Sequence, residues 1–228
     1  MPRRLKLFWI DSKTGRTKSG VPKKMILVMV VCFGILLPMS VRVIVQPPTR
    51  VLTDKSNEID LKDDRLVPLL LDLNDTLIAQ TNPKGVGLSA PQLGENLRVF
   101  VARPNAEGAP LVMVNPVITK FSKDLTSKSE NRKQIEGCLS IPDMYGEVAR
   151  CKWVEVEFWT TSWNSLRRQK EDFRKSKFVY DGFLGRVFQH EFDHLDGVLF
   201  TMRTLEQGGK MYKLEKEDGE EVLVEIKL

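Results

Sequence analysis

The sequence predicts an α+β fold in which short strands surround one helix near the C-terminal end. Apolar and polar residues alternate over residues 153–158 (WVEVEF) and 220–228, a pattern typical of half-buried strands. Leucines at helical spacing between residues 61 and 80 predict an early helix. A second helical pattern, over residues 181–196, contains both histidines of the chain.

Composition and charge narrow the class of protein. The chain has 228 residues, of which 42% are hydrophobic and 29% charged, as expected for one globular domain with an additional segment. Residues 1–24 carry a net charge of +7, which leaves −2 for the rest of the chain. We therefore do not expect the main domain to bind nucleic acid. The three cysteines show no disulfide spacing, which indicates a reducing compartment.

The N-terminal part has two open interpretations. Residues 25–41 form an uncharged apolar run about as long as the shortest membrane-spanning helices, and a basic tail (1–24) precedes it. The run is either a signal anchor or the product of an over-extended gene start, with translation beginning at Met39. The tail resembles an organelle transit peptide only faintly. The predicted parts are therefore the tail (1–24), the apolar segment (25–41) and the main domain (42–228).

The first half of the main domain begins with a strand-like run at residues 41–46. The helix over residues 61–80 has Asp63 or Asp64 as its expected N-cap, and Pro68 falls within its first turns, where proline is tolerated. Its apolar face consists of Leu66, Leu69, Leu70, Leu73 and Leu77.

Further strands are predicted at residues 97–102 and 111–116, before the alternating runs named above. The strongly basic stretch 162–177 is expected to be a solvated excursion. For the helix over residues 181–196, Asp181 is the expected N-cap and Gly197 the expected stop. Its buried side is expected to contain Phe183, Leu184, Val187, Phe188 and Leu195.

His190 and His194 are four residues apart, so a helix would place both imidazoles on one face, where they could hold one metal ion. Glu191 stands beside the first, as in the HExxH pattern of two ligands and a general base. No third histidine exists, so the remaining protein ligand would be Cys, Asp or Glu. Cys138, in EGCLS, is either that ligand or a small buried hydrophobe.

A third stretch, GVGLSAPQ (85–92), has glycines at alternate positions, which let another backbone approach closely, and ends in the amide of Gln92. In this order, GVGLSAPQ, EGCLS and QHEFDH resemble the three signature motifs of the peptide deformylases. The resemblance covers roughly residues 42–212 and none of residues 1–38. It implies antiparallel strands around a central helix carrying HEFDH, so that residues 42–228 would be the catalytic domain.

The resemblance also implies an activity, the removal of the formyl group from the N-formylmethionine of new polypeptides with release of formate. Hydroxide formed on a bound metal would attack the formyl carbon, with Glu191 as general base and then acid. The implied oxyanion donors are the side chain of Gln92 and the backbone N–H of Leu139. The implied metal ligands are Cys138, His190 and His194. The expected ion is Fe²⁺, with Zn²⁺, Ni²⁺ or Co²⁺ as substitutes.

On the substrate side, the resemblance implies that Val86 and Gly87 pair with the peptide backbone. The apolar pocket for the methionine side chain would contain Phe183 and Val187, with Leu184 as a further candidate. Two positions depart from the family pattern. Ser89 replaces the alanine most common there, and its small hydroxyl should be tolerated. Tyr145 stands where several relatives carry arginine.

Three charged residues near the motifs, Glu136, Arg150 and Asp193, either brace a ligand histidine or are ordinary surface charges. The expected partner is the N-formylmethionyl nascent polypeptide, with a transient ribosome contact and no direct nucleic-acid binding. Membrane contact is expected only if residues 25–41 are a real anchor. The expected location is the bacterial cytoplasm rather than an organelle.

Two rival functions remain open from the sequence. One is an HExxH peptidase in which Glu206 or Glu215 supplies the third ligand in place of Cys138. The other is a non-catalytic relative that only binds nascent chains or ribosomes. The presence of Glu191 and Gln92 argues against the second, because a site without catalysis needs neither.

Overall fold

A computed structural model describes residues 40–104, 110–126, 135–167, 172–217 and 220–227. Every element lies within one compact unit, Pro38–Leu228. The α-helices in these ranges are α1 (Leu66–Ala79), α2 (Trp163–Arg167), α3 (Gly182–Leu195) and α4 (Phe200–Glu206). The strands are β1 (Gly87–Ser89), β2 (Val99–Ala102), β3 (Leu111–Phe121), β4 (Ile135–Cys138), β5 (Ile141–Glu147), β6 (Trp153–Thr160), β7 (Arg174–Asp181), β8 (Met211–Glu217) and β9 (Glu220–Ile226).

The predicted basic tail (1–24) lies outside the described residues, as does most of the predicted apolar segment (25–41). The division of the chain at those boundaries therefore stays a prediction. In the part of the chain that the structure describes, no helix combines the length and the apolar character that crossing a membrane requires.

The strand predicted at residues 41–46 is wrong. The segment forms no ladder, and its backbone N–H groups bond to other elements instead. The N–H of Arg42 donates to Thr76 Oγ1 at 2.9 Å, and the N–H of Val45 donates to the backbone oxygen of Gln92 at 2.9 Å. Alternating apolar residues need a neighbouring strand before they form a sheet, and here the neighbours are helical turns.

Helix α1 has the predicted apolar face, and the five leucines predicted for that face are all buried. The predicted cap is wrong, because the helix begins at Leu66 with Arg65 at the N-cap position and no side-chain cap bond. Asp63 instead accepts hydrogen bonds from the backbone and the guanidinium of Arg65, which occupies its carboxylate before the helix starts. The helix packs against β1 and β2 and closes one part of the core.

The larger sheet has the strand order β1-β2-β3-β6-β7, with every neighbouring pair antiparallel. The predicted strands at 97–102, 111–116 and 153–158 correspond to β2, β3 and β6. The excursion predicted at 162–177 is wrong in part, because it contains α2 and the start of β7. Lys175 and Lys177 pair with Glu155 and Glu157 of β6, so these basic residues stabilise strand pairing.

The smaller sheet has the order β4-β5-β8-β9, again antiparallel throughout. The strand predicted at 220–228 is β9, which pairs with β8 as a hairpin. Helix α4 packs against β4 and β5, and Phe200, Val148 and Met211 form a small apolar cluster at this junction. This sheet carries Cys138 at the end of β4, where the chain turns into β5.

Helix α3 corresponds to the helix predicted over residues 181–196, and it contains HEFDH at residues 190–194. It packs against β1, β2, β6 and β7. Of its predicted buried side, Leu184, Val187, Phe188 and Leu195 join the second part of the core. The prediction for Phe183 is wrong, because this residue at the start of the helix is 62% exposed. Asp181 occupies the N-cap position but makes no side-chain cap bond, because this residue still pairs with Trp153 in the sheet. After the helix, Gly197 has a φ of 72°, a left-handed conformation that suits glycine at a helix end.

The core leucines of α1 provide a test of the fold. We expect Leu73→Ala to lower the free energy of unfolding by about 2–5 kcal/mol, because the side chain is fully buried and leaves a cavity. Ile78→Ala on the same helix is the matched control, since Ile78 is 42% exposed and should cost less than about 1 kcal/mol. Denaturant unfolding measures both, and equal losses would contradict the packing.

Candidate functional site

The turn between β4 and β5 brings Cys138 against helix α3. Its Sγ lies 3.2 Å from Nε2 of His194. Nitrogen atoms of His190 and His194 and the Cys138 sulfur all lie within 4.8 Å of one another. The three predicted ligands are thus brought together, from segments more than fifty residues apart in the sequence, in a group that could hold a metal ion.

The electrostatics of this cluster suit cation binding. Burial of the Cys138 thiol raises its pKa, but the neighbouring His194 and His190 outweigh burial and hold that pKa well below its ordinary value. Burial likewise lowers the pKa of His190, but bonds to the Cys138 sulfur and to Glu136 raise it well above its ordinary value. A thiolate and imidazoles at this separation are the donors that zinc and ferrous iron accept.

His190 is oriented from behind by Glu136 of β4. Nδ1 of His190 lies 3.0 Å from Oε2 of Glu136, which leaves the other ring nitrogen directed towards the cluster. A carboxylate on the outer nitrogen fixes the orientation of a ligand imidazole and raises its basicity. Burial raises the pKa of Glu136, but the guanidinium of Arg150 more than offsets this and holds it well below its usual range.

Arg150 is the centre of a buried charge network. Its guanidinium donates to both carboxylate oxygens of Glu136, at 2.9 and 2.8 Å, and also to Asp193 of α3. Arg186 adds a bond to Glu136 at 2.7 Å, and Arg203 adds one to Asp193 at 2.8 Å. Of the two alternatives for Glu136, Arg150 and Asp193, the bracing arrangement is the one observed.

Glu191 lies beside the cluster and is 3% exposed. Burial raises the pKa of its carboxyl to about 7, against the lowering effect of His190 and His194. Its Oε2 atom is fully buried and has no hydrogen-bond partner among the described residues. The other oxygen lies so close to Gly87 that a Cβ added there would overlap the carboxylate. A buried carboxyl with a pKa near neutrality can exchange protons with a neighbouring group.

Gln92 also contacts the cluster. Its Nε2 lies 3.4 Å from the Cys138 sulfur and 3.3 Å from the hydroxyl of Ser140. Its Oε1 accepts a bond from the backbone N–H of Ser89 at 2.9 Å. The predicted amide donor is therefore held against the ligand group.

A cavity of about 510 Å³ borders the site. Val86, Gly87, Leu139, Phe183 and Val187 also line it, as do Gln92, Cys138, His190 and Glu191. Phe183 is 62% exposed at the start of α3, whereas Val187 is buried one turn later. Leu184 does not line this cavity and instead packs against the second core cluster. Tyr145, the other noted departure, lines the cavity above Gly137.

Strand β1 forms one edge of the larger sheet, since it pairs with β2 alone in the described strand order. Gly87 pairs with Ala102, and the backbone oxygen of Val86 accepts the N–H of Arg103. The other side of this short strand borders the cavity. An extended peptide could therefore add to the sheet beside the cluster.

The alternative third ligands lie elsewhere. Glu206 and Glu215 are exposed, and neither belongs to the His–His–Cys group found among the described residues. Glu206 pairs with Arg203, and Glu215 pairs with Lys213. The sequence did not predict the hydrogen bonds of Arg186 to Glu136, of Arg203 to Asp193 and of Ser140 to Gln92. No motif or spacing distinguishes Arg186, Arg203 and Ser140 from ordinary polar residues.

Comparison with known proteins agrees with this geometry. A family model described as polypeptide deformylase matches residues 41–209. The chain is 36% identical to peptide deformylase 1 of Bacillus subtilis (strain 168) over 165 residues, covering 72% of this chain and 91% of that protein. The chain belongs to the polypeptide deformylase family. It is therefore an enzyme of the hydrolase class, and the resemblance of the three motifs is confirmed.

Solved deformylase structures share the fold. A peptide deformylase from Synechococcus elongatus in complex with actinonin aligns with a TM-score of 0.59 at 33% identity, covering 74% of this chain and 81% of that one. A class I type b peptide deformylase from Acinetobacter baumannii with bound Met-Ala-Ser aligns with a TM-score of 0.59 at 30% identity, covering 73% of this chain and 99% of that one. The deformylase fold, with antiparallel sheets and a few helices, is confirmed.

The contact between Gly87 and Glu191 leads to a prediction about this family member. We expect Gly87→Ala to destabilise the protein by about 1–3 kcal/mol, because the added methyl group overlaps the Glu191 carboxylate. In a Glu191→Ala background the overlap is absent, so the same substitution should cost much less. Thermal unfolding of the four proteins measures the difference, and an equal cost in both backgrounds would show that the contact is not formed.

The charge network around Arg150 leads to a second prediction. We expect Arg150→Met to lower the free energy of unfolding by about 3–5 kcal/mol, because two buried carboxylates lose a shared partner. Metal affinity should fall about 10–100-fold as Glu136 ceases to fix His190. Arg65→Met, which removes an exposed ion pair, is the control and should change neither quantity. Unchanged metal affinity in Arg150→Met would remove Arg150 from the support of the site.

Proposed function

We propose that this protein removes the formyl group from the N-terminal formylmethionine of newly made polypeptides, with release of formate. The observation that carries the proposal is the meeting of Cys138, His190 and His194 next to a cavity that Glu191 and Gln92 also line. Each group has a role in hydrolysing a linear amide. The membership of the deformylase family supports the same reaction.

The cluster of Cys138, His190 and His194 is proposed to hold one divalent cation. The residues fit such an ion, because one of the three donors is a thiol with a lowered pKa. A buried oxygen of Glu191 next to them also finds no partner within the described part of the chain. When bound, the cation would supply Lewis-acid activation of water at neutral pH. We propose Fe²⁺ as the resident ion, with Zn²⁺, Ni²⁺ or Co²⁺ as substitutes. Anaerobic metal analysis of freshly purified protein tests this.

Glu191 is proposed to move the proton. Its carboxylate accepts a proton from the attacking water and later returns it to the departing amine, so that the N-terminal methionine leaves with a neutral amino group. The pKa of about 7 places the group where both transfers are favourable near neutral pH. Its burial next to the ligand cluster excludes bulk water from this exchange.

Negative charge that develops on the formyl oxygen needs donors already in position. We propose the side-chain amide of Gln92 and the backbone N–H of Leu139, which both border the cavity next to Cys138. A donor of this kind is typically worth about 3–4 kcal/mol in the transition state. The substrate backbone would add to the edge of β1 at Val86 and Gly87, and the methionine side chain would contact Phe183 and Val187.

The substrate also indicates where the protein works. Formylated chains emerge from ribosomes, so we propose that the catalytic domain faces the compartment of translation, the cytoplasm if the source is bacterial. A transient ribosome contact is part of this proposal. Full-length protein and protein expressed from Met39, compared by cell fractionation, test whether residues 25–41 attach the enzyme to a membrane.

One assay tests the function against its rivals. Formate release is measured from formyl-Met-Ala, acetyl-Met-Ala and unblocked Met-Ala. Release from the formylated peptide alone supports deformylation, whereas cleavage of the internal amide bond supports a peptidase, and no turnover supports a binding protein. A Cys138→Ser variant that kept its full metal affinity would also favour the peptidase.

The proposed role of Glu191 gives a direct prediction. We expect Glu191→Ala to retain a full complement of metal but to lose about 10²–10⁴-fold in turnover, because no group remains to move the proton. Glu206→Ala removes an exposed carboxylate on the following helix and should behave as the wild type. Metal content and formate release are measured for both. Near wild-type turnover in Glu191→Ala would rule out its role as base.

A further inference from the structure

The hydroxyl of Ser89 is directed at the side chain of Gln92, although the residue type suggested only a tolerated replacement. Oε1 of Gln92 accepts the Ser89 backbone N–H at 2.9 Å and the Ser89 hydroxyl at 3.0 Å. A backbone N–H can only donate, so the oxygen of the amide has to face Ser89 and the nitrogen has to face away. Ser89 itself is fully buried.

The nitrogen end of the same amide is held by a second buried serine. Nε2 of Gln92 donates to Oγ of Ser140 at 3.3 Å and lies 3.4 Å from the Cys138 sulfur. The amide nitrogen has two hydrogens, and Ser140 accepts one of them. The other hydrogen is then directed at the Cys138 sulfur, within the metal-ligand cluster.

Neither serine lines the cavity, whereas Gln92 does. Both hydroxyls contact Gln92, so they can act on a bound peptide through this side chain. Donors stabilise a developing oxyanion most when their direction is fixed before the reaction begins. The terminal torsion of a glutamine side chain has a broad energy minimum. A glutamine whose oxygen accepts one hydrogen bond instead of two therefore rotates more freely about that torsion.

We propose that Ser89 and Ser140 are positioning residues that clamp the two ends of the Gln92 amide and thereby aim one N–H at the reacting oxygen. The inference rests on the proposed deformylation, and it assigns Ser89 a part in the reaction in addition to its place as N-cap of the short 3-10 helix Ala90–Leu93, which contains Gln92. It predicts that the hydroxyls affect turnover more than substrate binding, since the aimed N–H meets a charge that develops only in the transition state.

The kinetic test is a double-mutant cycle on formyl-Met-Ala hydrolysis. We expect Ser89→Ala to lower kcat about 3–10-fold, the range supplied by one neutral hydrogen bond, with KM within about twofold of wild type. In a Gln92→Ala background, Ser89→Ala should cause no further loss. Ser140→Ala should show the same dependence on Gln92. The buried serine Ser122, which donates to the backbone of Asp124, gives the control Ser122→Ala with unchanged kinetics.

A second readout does not depend on activity. In ¹⁵N-labelled metal-free protein, the two Nε2 protons of Gln92 should give a resolved NMR pair that exchanges slowly with solvent and is absent from Gln92→Ala. Ser89→Ala should shift this pair and speed its exchange, and Ser122→Ala should not.

Three results would overturn the clamp: an unaltered NMR pair in Ser89→Ala, wild-type kcat in that variant, or an equal kinetic loss with and without Gln92. Absence of formate release by the wild type would instead overturn the proposed function, and the NMR pair would still report on the clamp.

Discussion

The buried ion pairs of Arg150 join the two halves of the site. Arg150 bonds Glu136 on β4, the strand that ends at Cys138, and Asp193 on α3, the helix that carries both histidines. Glu136 in turn bonds His190. The sulfur and the imidazoles come from different layers of the fold, and their separation depends on how these layers dock. One guanidinium between two carboxylates sets that docking more narrowly than apolar contacts could, because the donor directions are fixed.

The same network explains how so many ionisable groups are accommodated away from water. A single buried charge would cost several kcal/mol, but here each carboxylate faces at least one guanidinium. Two groups of the site differ: among the described residues, Oε2 of Glu191 and Nδ1 of His194 are buried without a hydrogen-bond partner. The carboxylates that support the site are thus paired, whereas the proposed proton carrier and one proposed ligand each keep an unpaired atom.

Sequence patterns predicted those parts of the site whose residues are close together in the chain. Two histidines four residues apart on an apolar-periodic helix indicated a metal site directly, because one helical turn sets their separation. Cys138 could not be assigned from the residues alone, since its partners are more than fifty positions away and only the resemblance to the family connected them. The contacts of Arg186 with Glu136 and of Ser140 with Gln92 could not be predicted for a similar reason, because pairing between distant side chains depends on tertiary geometry.

Two wrong predictions about the fold also arose from side-chain partners that the sequence does not reveal. Asp63 looked like a helix cap, but the adjacent Arg65 competes for its carboxylate. Residues 174–177 looked like solvated loop, yet Lys175 and Lys177 find acidic partners on β6 and the segment becomes a strand. Both cases concern charges whose partners decide the local structure. The apolar patterns of α1 and β6 were read correctly. The pattern of α3 misplaced only Phe183, and the pattern of residues 41–46 predicted a strand that does not form.

The larger sheet ends differently at its two sides. The outermost strand β7 carries Arg174, Lys175 and Lys177, all exposed, whereas β1 at the other side presents Gly87 and no charge. Lysines on an outer strand disfavour templated growth of a sheet by a second molecule. The charged edge therefore disfavours pairing with a second extended chain, and the uncharged edge is the one to which the substrate peptide is proposed to add. Under that proposal, resistance to aggregation and admission of substrate belong to opposite ends of one sheet.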